Sequence, residues 1–289
     1  MIETKSCVVC DGVIRRRKRA LVAPFLAERI WQREPFCVEL MECTGCGFVF
    51  YNPRLDDGDL QALYRDYRLD EYLRMRQSTE PWYTAKFNEE LGSEATYGRR
   101  RVALRALLQE QLGERRIARV LDYGGDRGDL VAGLLEGAQA FVYDISGIAA
   151  VDGVTAAADP RACEAELILN SNVLEHVGFP RVMVEEMLAA LPAEGVLFLE
   201  VPVERAFGVE RAARRVAQAA WMTAAKPRLA GQILRPEVLW MMHEHINYFT
   251  EKTLNRLVEA AGGVVLRSGL NMVPGLYGRT DMAWCLARR

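Results

Sequence analysis

The sequence predicts an α/β protein: a mostly parallel, doubly wound sheet with helices on both faces, preceded by a small zinc-ribbon domain and a helical linker. Three observations lead there. Short apolar runs alternate with helical patterns from about residue 113 onward. One of these runs ends in Asp122 and passes into a glycine turn made by Gly124, Gly125 and Gly128. Two Cys-x-x-Cys pairs, Cys7 with Cys10 and Cys43 with Cys46, stand within the first 55 residues.

Composition sets bounds before any motif is read. A chain of 289 residues fits two domains. It is 50% hydrophobic and 26% charged, which suits a soluble protein with a full core. The formal net charge of −2 gives no global field, so neither a nucleic-acid nor a membrane partner is expected. The run from Arg15 through Arg16, Arg17 and Lys18 to Arg19 is the one strong basic cluster and reads as a solvated loop or strand face. Apolar runs such as 196–199 are far too short to span a bilayer. No secretory hydrophobic segment opens the chain, and seven cysteines, an odd number, argue for metal and free thiols over disulfides. A cytoplasmic protein is expected.

Residues 1–55 form the first expected domain. Each Cys-x-x-Cys pair can clip two thiolates onto one tetrahedral Zn²⁺, and Gly47 permits the tight turn of such a knuckle. A hairpin can fill the 32 residues between the pairs. Cys7, Cys10, Cys43 and Cys46 are the expected ligands of a structural zinc ion. Cys37, Cys163 and Cys285 are left as packing residues.

Residues 56–112 read as a helical linker or substrate-side segment, with Leu104, Leu107, Leu108 and Gln111 at helical spacing. Tyr64, Tyr67, Tyr72, Trp82 and Tyr83 enrich it in aromatics. Most are expected to pack; a tyrosine hydroxyl at the active site is the sharper alternative.

The third part is 113–289. Strands are predicted at 118–122, 141–144, 167–170, 196–200, 264–267 and 282–287, with a helix beginning after the glycine turn over 130–135. Leu254, Leu257, Val258 and Ala261 form a helical stripe, with Thr250 as N-cap and Gly262 as stop. Residues 204–240, rich in Ala and Arg, read as a helical insertion.

The glycine turn places a nucleotide-like cofactor at the carboxyl ends of the strands. Asp144 ends the second strand, 22 residues after Asp122, where a carboxylate accepts from ribose hydroxyls. That combination fits NAD or S-adenosylmethionine. Asp122, Asp126 and Asp129 crowd the turn. Three carboxylates repel a pyrophosphate but suit a cofactor with an ammonium and a sulfonium, so charge favours S-adenosylmethionine.

The chain has three histidines, His176, His243 and His245. The first follows the fourth predicted strand; the others flank Glu244. Imidazole titrates near neutrality and can take a proton from an acceptor. A second metal site from His243 and His245 lacks an obvious third ligand.

These motifs resemble the class I S-adenosylmethionine-dependent methyltransferases. Asp122, Gly124 and Gly128 match their first motif, although the middle glycine is Asp126. The likeness continues through Asp144, through Asn170-Ser-Asn172-Val-Leu-Glu-His176 and through residues 195–202, covering roughly 115–289. It implies a Rossmann-like sheet of seven strands, with Asp122, Gly124, Gly125, Gly128, Asp144, Asn170 and Asn172 on the cofactor. The four cysteines together with His243-Glu244-His245, Tyr248 and Phe249 resemble the sugar C-methyltransferases of deoxysugar biosynthesis. That likeness implies catalytic roles for Glu244 and His245, joined by His176. In that group a tyrosine stands where this chain has Met242, and a further C-terminal domain follows, which is not expected here. A catalytic tyrosine could be Tyr64, Tyr67 or Tyr72.

The expectation is a zinc-containing methyltransferase acting on a small polar acceptor: a sugar, a nucleotide-sugar or a natural-product intermediate. His245 is the expected base, with Glu244 and His176 positioning substrate or stabilising charge. Arg205, Arg211 or Arg235 could meet a phosphate on the acceptor. The alternatives are an NAD-dependent oxidoreductase on the same fold and a non-catalytic zinc-ribbon assembly protein with a degenerate pocket.

Overall fold

The computed structural model describes residues 1–67, 69–275 and 278–289. Along the chain come β1 (Ile14–Leu21), α1 (Pro24–Trp31), β2 (Cys37–Cys43), β3 (Val49–Asn52), α2 (Asp57–Tyr64), α3 (Asp70–Thr79), α4 (Ala85–Leu91) and α5 (Glu94–Leu112). Then follow β4 (Arg119–Tyr123), β5 (Gln139–Tyr143), β6 (Val154–Ala156), β7 (Leu167–Ser171), α6 (Pro180–Ala190) and β8 (Val196–Pro202). The last are α7 (Val209–Ala225), α8 (Ala230–Ile233), β9 (Asn247–Tyr248), α9 (Glu251–Ala260), β10 (Val264–Gly275) and β11 (Gly278–Arg288). Among the described residues no helix is long and apolar enough to cross a membrane.

These elements form two compact units. One comprises Met1–Glu89, Glu175–Gly178 and Glu204–Tyr248; the other comprises Glu90–Leu174, Phe179–Val203 and Phe249–Arg289. The division does not follow the boundaries at 55 and 112 read from the sequence. The insertion at 204–240 and the histidine segment after it belong with the cysteine-rich part. The reason is backbone pairing, which a linear reading does not see.

The first unit holds an antiparallel sheet in the order β1-β2-β3-β9. Val49 pairs with Tyr248 and Phe50 with Asn247, so the histidine segment supplies the last strand. Arg54, fully buried, staples this arrangement. Its guanidinium donates to the Gly178 carbonyl at 2.8 Å, the Val177 carbonyl at 3.1 Å and Asn247 Oδ1 at 2.6 Å. The basic run lies on edge strand β1, where Glu42 takes Arg15 and Arg17 and Glu39 faces Arg16. Such charges on an edge also oppose pairing with a second sheet.

The second unit holds the seven-stranded sheet, in the order β10-β11-β8-β7-β4-β5-β6. The strands from β6 to β8 run parallel, while β10 and β11 form an antiparallel hairpin beside β8. The chain builds outward from β4 to β6, then returns to lay β7 on the other side of β4. The carboxyl end of β4 is therefore the switch point where open α/β sheets hold ligands. Strand β6, three residues long, was too short to show a period in the sequence. Helix α9 starts on the expected Thr250, which forms a reciprocal capping box with Thr253.

One expected element is absent. Residues 130–135 form successive turns, not a helix. Val131 N donates to Gly128 O at 3.1 Å and Leu134 N to Val131 O at 3.0 Å. Gly133 and Gly137 adopt left-handed backbone, φ +63° and +73°. Two arginines of α5 take carbonyls that a helix would have bonded in line: Arg101 Nη1 bonds Asp129 O at 2.6 Å and Arg105 Nε bonds Leu134 O at 2.7 Å. The apolar pattern is still used, since Leu130, Val131 and Leu134 pack into the core with Leu104, Leu108 and Phe198.

Candidate functional site

The glycine turn closes directly on β4. Gly124 N donates to Tyr143 O at 2.7 Å, tying the turn to the end of β5. Gly124 and Gly128 have φ near +80°, and Asp126 also sits in the left-handed region at +55°. Asp is one of the few side chains that tolerates this conformation, so the chain keeps the turn without the middle glycine. Space is equally restricted at Gly125, where a Cβ would lie 2.2 Å from Asp122 Cγ and Oδ2.

Asp122 is 2% exposed, and its Oδ2 has no hydrogen-bond partner among the described residues. Burial pushes its carboxyl up to about 7; Arg100 opposes the shift, and Asp144, Asp126 and Asp129 add to it. Asp144, at the end of β5, accepts from Asp126 N at 2.9 Å through Oδ2 and from Ser146 N at 2.7 Å through Oδ1. It thereby shapes both loops at this edge.

The two asparagines of β7 and its exit play other parts. Asn170 is fully buried and donates to Tyr123 O at 2.8 Å, bridging β7 to β4. The Asn172 amide faces the Arg100 guanidinium, and with its oxygen on that side it accepts from both terminal nitrogens, at 2.7 and 2.8 Å. Arg100 also donates to Ser171 Oγ at 2.8 Å and to the buried Glu200 at 3.1 Å. Nothing in the sequence pattern singled out Arg100.

The histidines lie in the first unit. His176 Nδ1 bonds the Tyr64 hydroxyl at 3.0 Å and the Glu244 carbonyl oxygen at 3.1 Å. His245 Nδ1 bonds Glu204 Oε1 at 3.0 Å. The two rings meet edge to face, centroids 4.7 Å apart. His243 is turned to Glu80. Of the three linker tyrosines, Tyr64 is thus placed on a histidine. Tyr72 donates to Glu244 Oε1 at 2.9 Å, and Tyr67 packs on the rings of both.

Glu244 is locked in place. Arg76 donates to both its oxygens, at 2.9 and 2.6 Å, and bonds Glu80 at 2.8 Å. Burial alone would raise the Glu244 carboxyl, but Arg76, His243 and His176 hold it down to about 2. This residue fixes the segment bearing His245; its oxygens are occupied by the protein.

The electrostatics divide the two imidazoles. Burial and the neighbouring His245 lower His176 to about 3, so it is neutral. Burial also disfavours charge on His245, but Glu204, Glu175 and Glu244 outweigh it and raise the ring to about 9. His245, read from the sequence as the base, therefore already carries a proton at neutral pH. Its partner Glu204 could not be read from sequence, since 41 residues separate the two.

The cysteines converge as expected. Cys7 Sγ lies 3.8 Å from Cys46 Sγ and Cys10 Sγ lies 3.6 Å from Cys43 Sγ; all four sulfurs fall within 4.8 Å of one another. A tetrahedral ion with metal–sulfur bonds of about 2.3 Å has edges of about 3.8 Å. The amides of Val9 and Cys46 donate to Cys7 Sγ and Cys43 Sγ, each at 3.4 Å, as in a metal knuckle. Of the three arginines, Arg211 bonds the Tyr248 hydroxyl, Arg235 donates to Pro35 O at 3.4 Å, and Arg205 is exposed.

Residues 97–267, more than half of the chain, match a family model described as a methyltransferase domain. No curated protein matches the chain in sequence. Among solved structures, the chain is similar to the 1,6-didemethyltoxoflavin-N1-methyltransferase of Burkholderia thailandensis with S-adenosylhomocysteine bound. The TM-score is 0.50 at 16% identity, over 84% of this chain and 96% of that one. Magnesium protoporphyrin IX methyltransferase of Synechocystis PCC 6803 gives 0.45 at 13%, over 78% and 97%. LepI with SAH and a substrate analogue gives 0.41 at 12%; the chain covers 46% of its length, with 63% of this chain aligned. At 16% identity the first of these is a likeness of fold alone.

Proposed function

The chain belongs to the methyltransferase-domain family, and from that membership we propose that it transfers a methyl group from S-adenosylmethionine to a small polar acceptor. The acceptor class we favour is a sugar, a nucleotide-sugar or a related natural-product intermediate.

One observation carries the cofactor: Asp122, buried beside Gly125 with an oxygen that no group among the described residues satisfies. A buried carboxylate needs a cation or a donor, and an amino-acid ammonium is both. The side-chain-free Gly125 leaves that carboxylate room. Asp144 keeps lone pairs for ribose hydroxyls, since each oxygen accepts only one backbone N–H. The dinucleotide alternative fares worse, because 126–137 forms turns and offers no helix N-terminus to a pyrophosphate.

When bound, S-adenosylmethionine supplies a methyl group on a sulfonium, which needs an aligned acceptor that has lost its proton. Acceptance of that proton is assigned to His176, the neutral imidazole, with protonated His245 beside it as a cation for the developing negative charge. Glu244, Arg76 and Tyr72 hold the His245 segment, and Tyr64 orients His176. The likeness of 243–249 to the sugar C-methyltransferase segment supports a sugar-like acceptor. Arg211, whose buried Nε lacks an acceptor, suits a phosphate on it.

Zinc is the metal proposed for the four cysteines, in a structural role. Seven unbridged cysteines fit a reducing compartment, and we place the protein in the cytoplasm. Titration calorimetry with S-adenosylhomocysteine, followed by methyl transfer to nucleotide-sugars read by mass shift, tests the reading. Absence of any binding heat and of competition with S-adenosylmethionine sinks it.

A further inference from the structure

We propose that Glu175, His176 and His245 form a second metal site, one that takes a first-row divalent cation through one carboxylate and two imidazoles. One donor atom from each residue lies within 4.8 Å of the other two. His176 Nε2 is 3.8 Å from Glu175 Oε1. The site contains the two imidazoles given above to proton transfer; binding of the ion itself does not depend on methyl transfer, and an ion held there would take the place of the proton.

The hydrogen bonds around the two rings carry the argument. The Glu244 carbonyl oxygen can only accept, so His176 Nδ1 bears the hydrogen there and Nε2 keeps its lone pair. Glu204 accepts likewise from His245 Nδ1, so an ion would bind the other nitrogen of that ring and release its proton. Both imidazoles thus have the outer arrangement that metal-ligating histidines use: one nitrogen donates to a carbonyl or carboxylate, and the other is turned to the ion. Tyr64 adds a second anchor on His176.

The two halves of the site are also stitched together through the backbone. Ile246 N and Asn247 N both donate to the Glu175 carbonyl oxygen, at 2.8 and 3.0 Å. Arg54 clamps the carbonyls of Val177 and Gly178 together with Asn247. The donors are therefore positioned before any ion arrives, and the Glu175 side chain is 1% exposed.

Donor chemistry sets the class of ion. Two imidazoles and one carboxylate suit Zn²⁺, Mn²⁺, Fe²⁺, Co²⁺ or Ni²⁺ and disfavour Mg²⁺ and Ca²⁺, which take oxygen. Three protein ligands leave at least one position open, as in catalytic rather than structural sites. A cation held there would supply Lewis acidity and would lower the pKa of a hydroxyl at the open position.

The site differs from the four-cysteine cluster in its spectrum, which supplies the test. Co²⁺ is titrated into the purified full-length protein and followed by visible absorption and by metal content. The expected result is one Co²⁺ per chain giving weak ligand-field bands without thiolate charge transfer, beyond any metal at the cysteines. His245→Gln and Glu175→Gln should abolish those bands while leaving the thiolate-bound metal and the circular-dichroism spectrum in place. Glu204→Gln, which alters only an outer partner, should weaken Co²⁺ about 10–100-fold. Thiolate-type bands alone in the wild type, or undiminished nitrogen–oxygen-type binding in His245→Gln, would overturn the proposal.

Discussion

Gly125 and Asp122 are packed so that neither can change alone: a Cβ on Gly125 would lie 2.2 Å from the Asp122 carboxyl. The φ of Gly125 is not in the left-handed region, so backbone strain plays no part. Gly125→Ala is therefore a steric probe of one carboxylate. The methyl must push Asp122 or the turn aside, at a cost of about 1–3 kcal/mol in stability. Moving the carboxylate should also weaken S-adenosylhomocysteine at least tenfold, which is about 1.4 kcal/mol. Urea denaturation and calorimetry read the two effects, and wild-type affinity in Gly125→Ala would remove Asp122 from the cofactor.

Asp122 also sets a pH dependence. Its folded-state value, about 7, lies above the ordinary 3.8. Between those values the folded chain holds more proton than the unfolded chain. The stability this group contributes is thus fully present below about pH 4 and is lost as pH rises through 7. A bound ammonium favours the carboxylate, so cofactor binding near pH 7 should release a proton. Calorimetry in two buffers of different ionisation enthalpy measures that proton, and it should vanish in Asp122→Asn. Asp126→Asn removes a like charge and should move the release to lower pH.

How far these features can be read in sequence depends on how local their causes are. The glycine turn was legible because Asp122, the glycines and a strand sit side by side. Residues 130–135 suggest a helix in sequence because Leu130, Val131 and Leu134 carry a core pattern that also suits turns. Gly133 and Gly137 were the available signal against it. Placing Tyr64 on a histidine required the fold, since Tyr64, Tyr67 and Tyr72 lie on one aromatic stretch and His176 is 112 residues from Tyr64. Glu204 and Arg76 were invisible for the same reason: each acts on a residue far along the chain. Strand β9, two residues long, leaves no periodic trace, yet it decides which unit owns the histidines.

Arg76 is the hub of the charge network in that unit. Its side chain is 9% exposed and faces Glu80 and Glu244, both largely buried. Arg76→Met leaves two buried carboxylates without their guanidinium and should cost about 3–5 kcal/mol. Arg76→Lys should recover little, because an ammonium cannot span both Glu244 oxygens. Trp31, Trp82, Trp221 and Trp240 lie in this unit, so fluorescence in urea reports its unfolding. The midpoint should fall while the slope holds. An unchanged midpoint in Arg76→Met would mean that the network is dispensable for stability.

The four cysteines supply the last test. Cys43 Sγ sits 3.6 Å from Cys10 Sγ, accepts the Cys46 amide, and would lie 3.1 Å from a Cβ on Gly12. A serine there offers a shorter, harder oxygen that cannot complete the sulfur tetrahedron. After dialysis against EDTA to strip weaker nitrogen–oxygen sites, the wild type should retain one zinc per chain. A thiol-specific reagent should release that zinc into a chromophoric chelator as the four thiols react. Structural zinc of this kind is worth about 10–16 kcal/mol in apparent binding. Cys43→Ser should therefore lose the ion and the cooperative unfolding of its unit together. Full zinc occupancy in that variant would show that Cys43 is not a ligand.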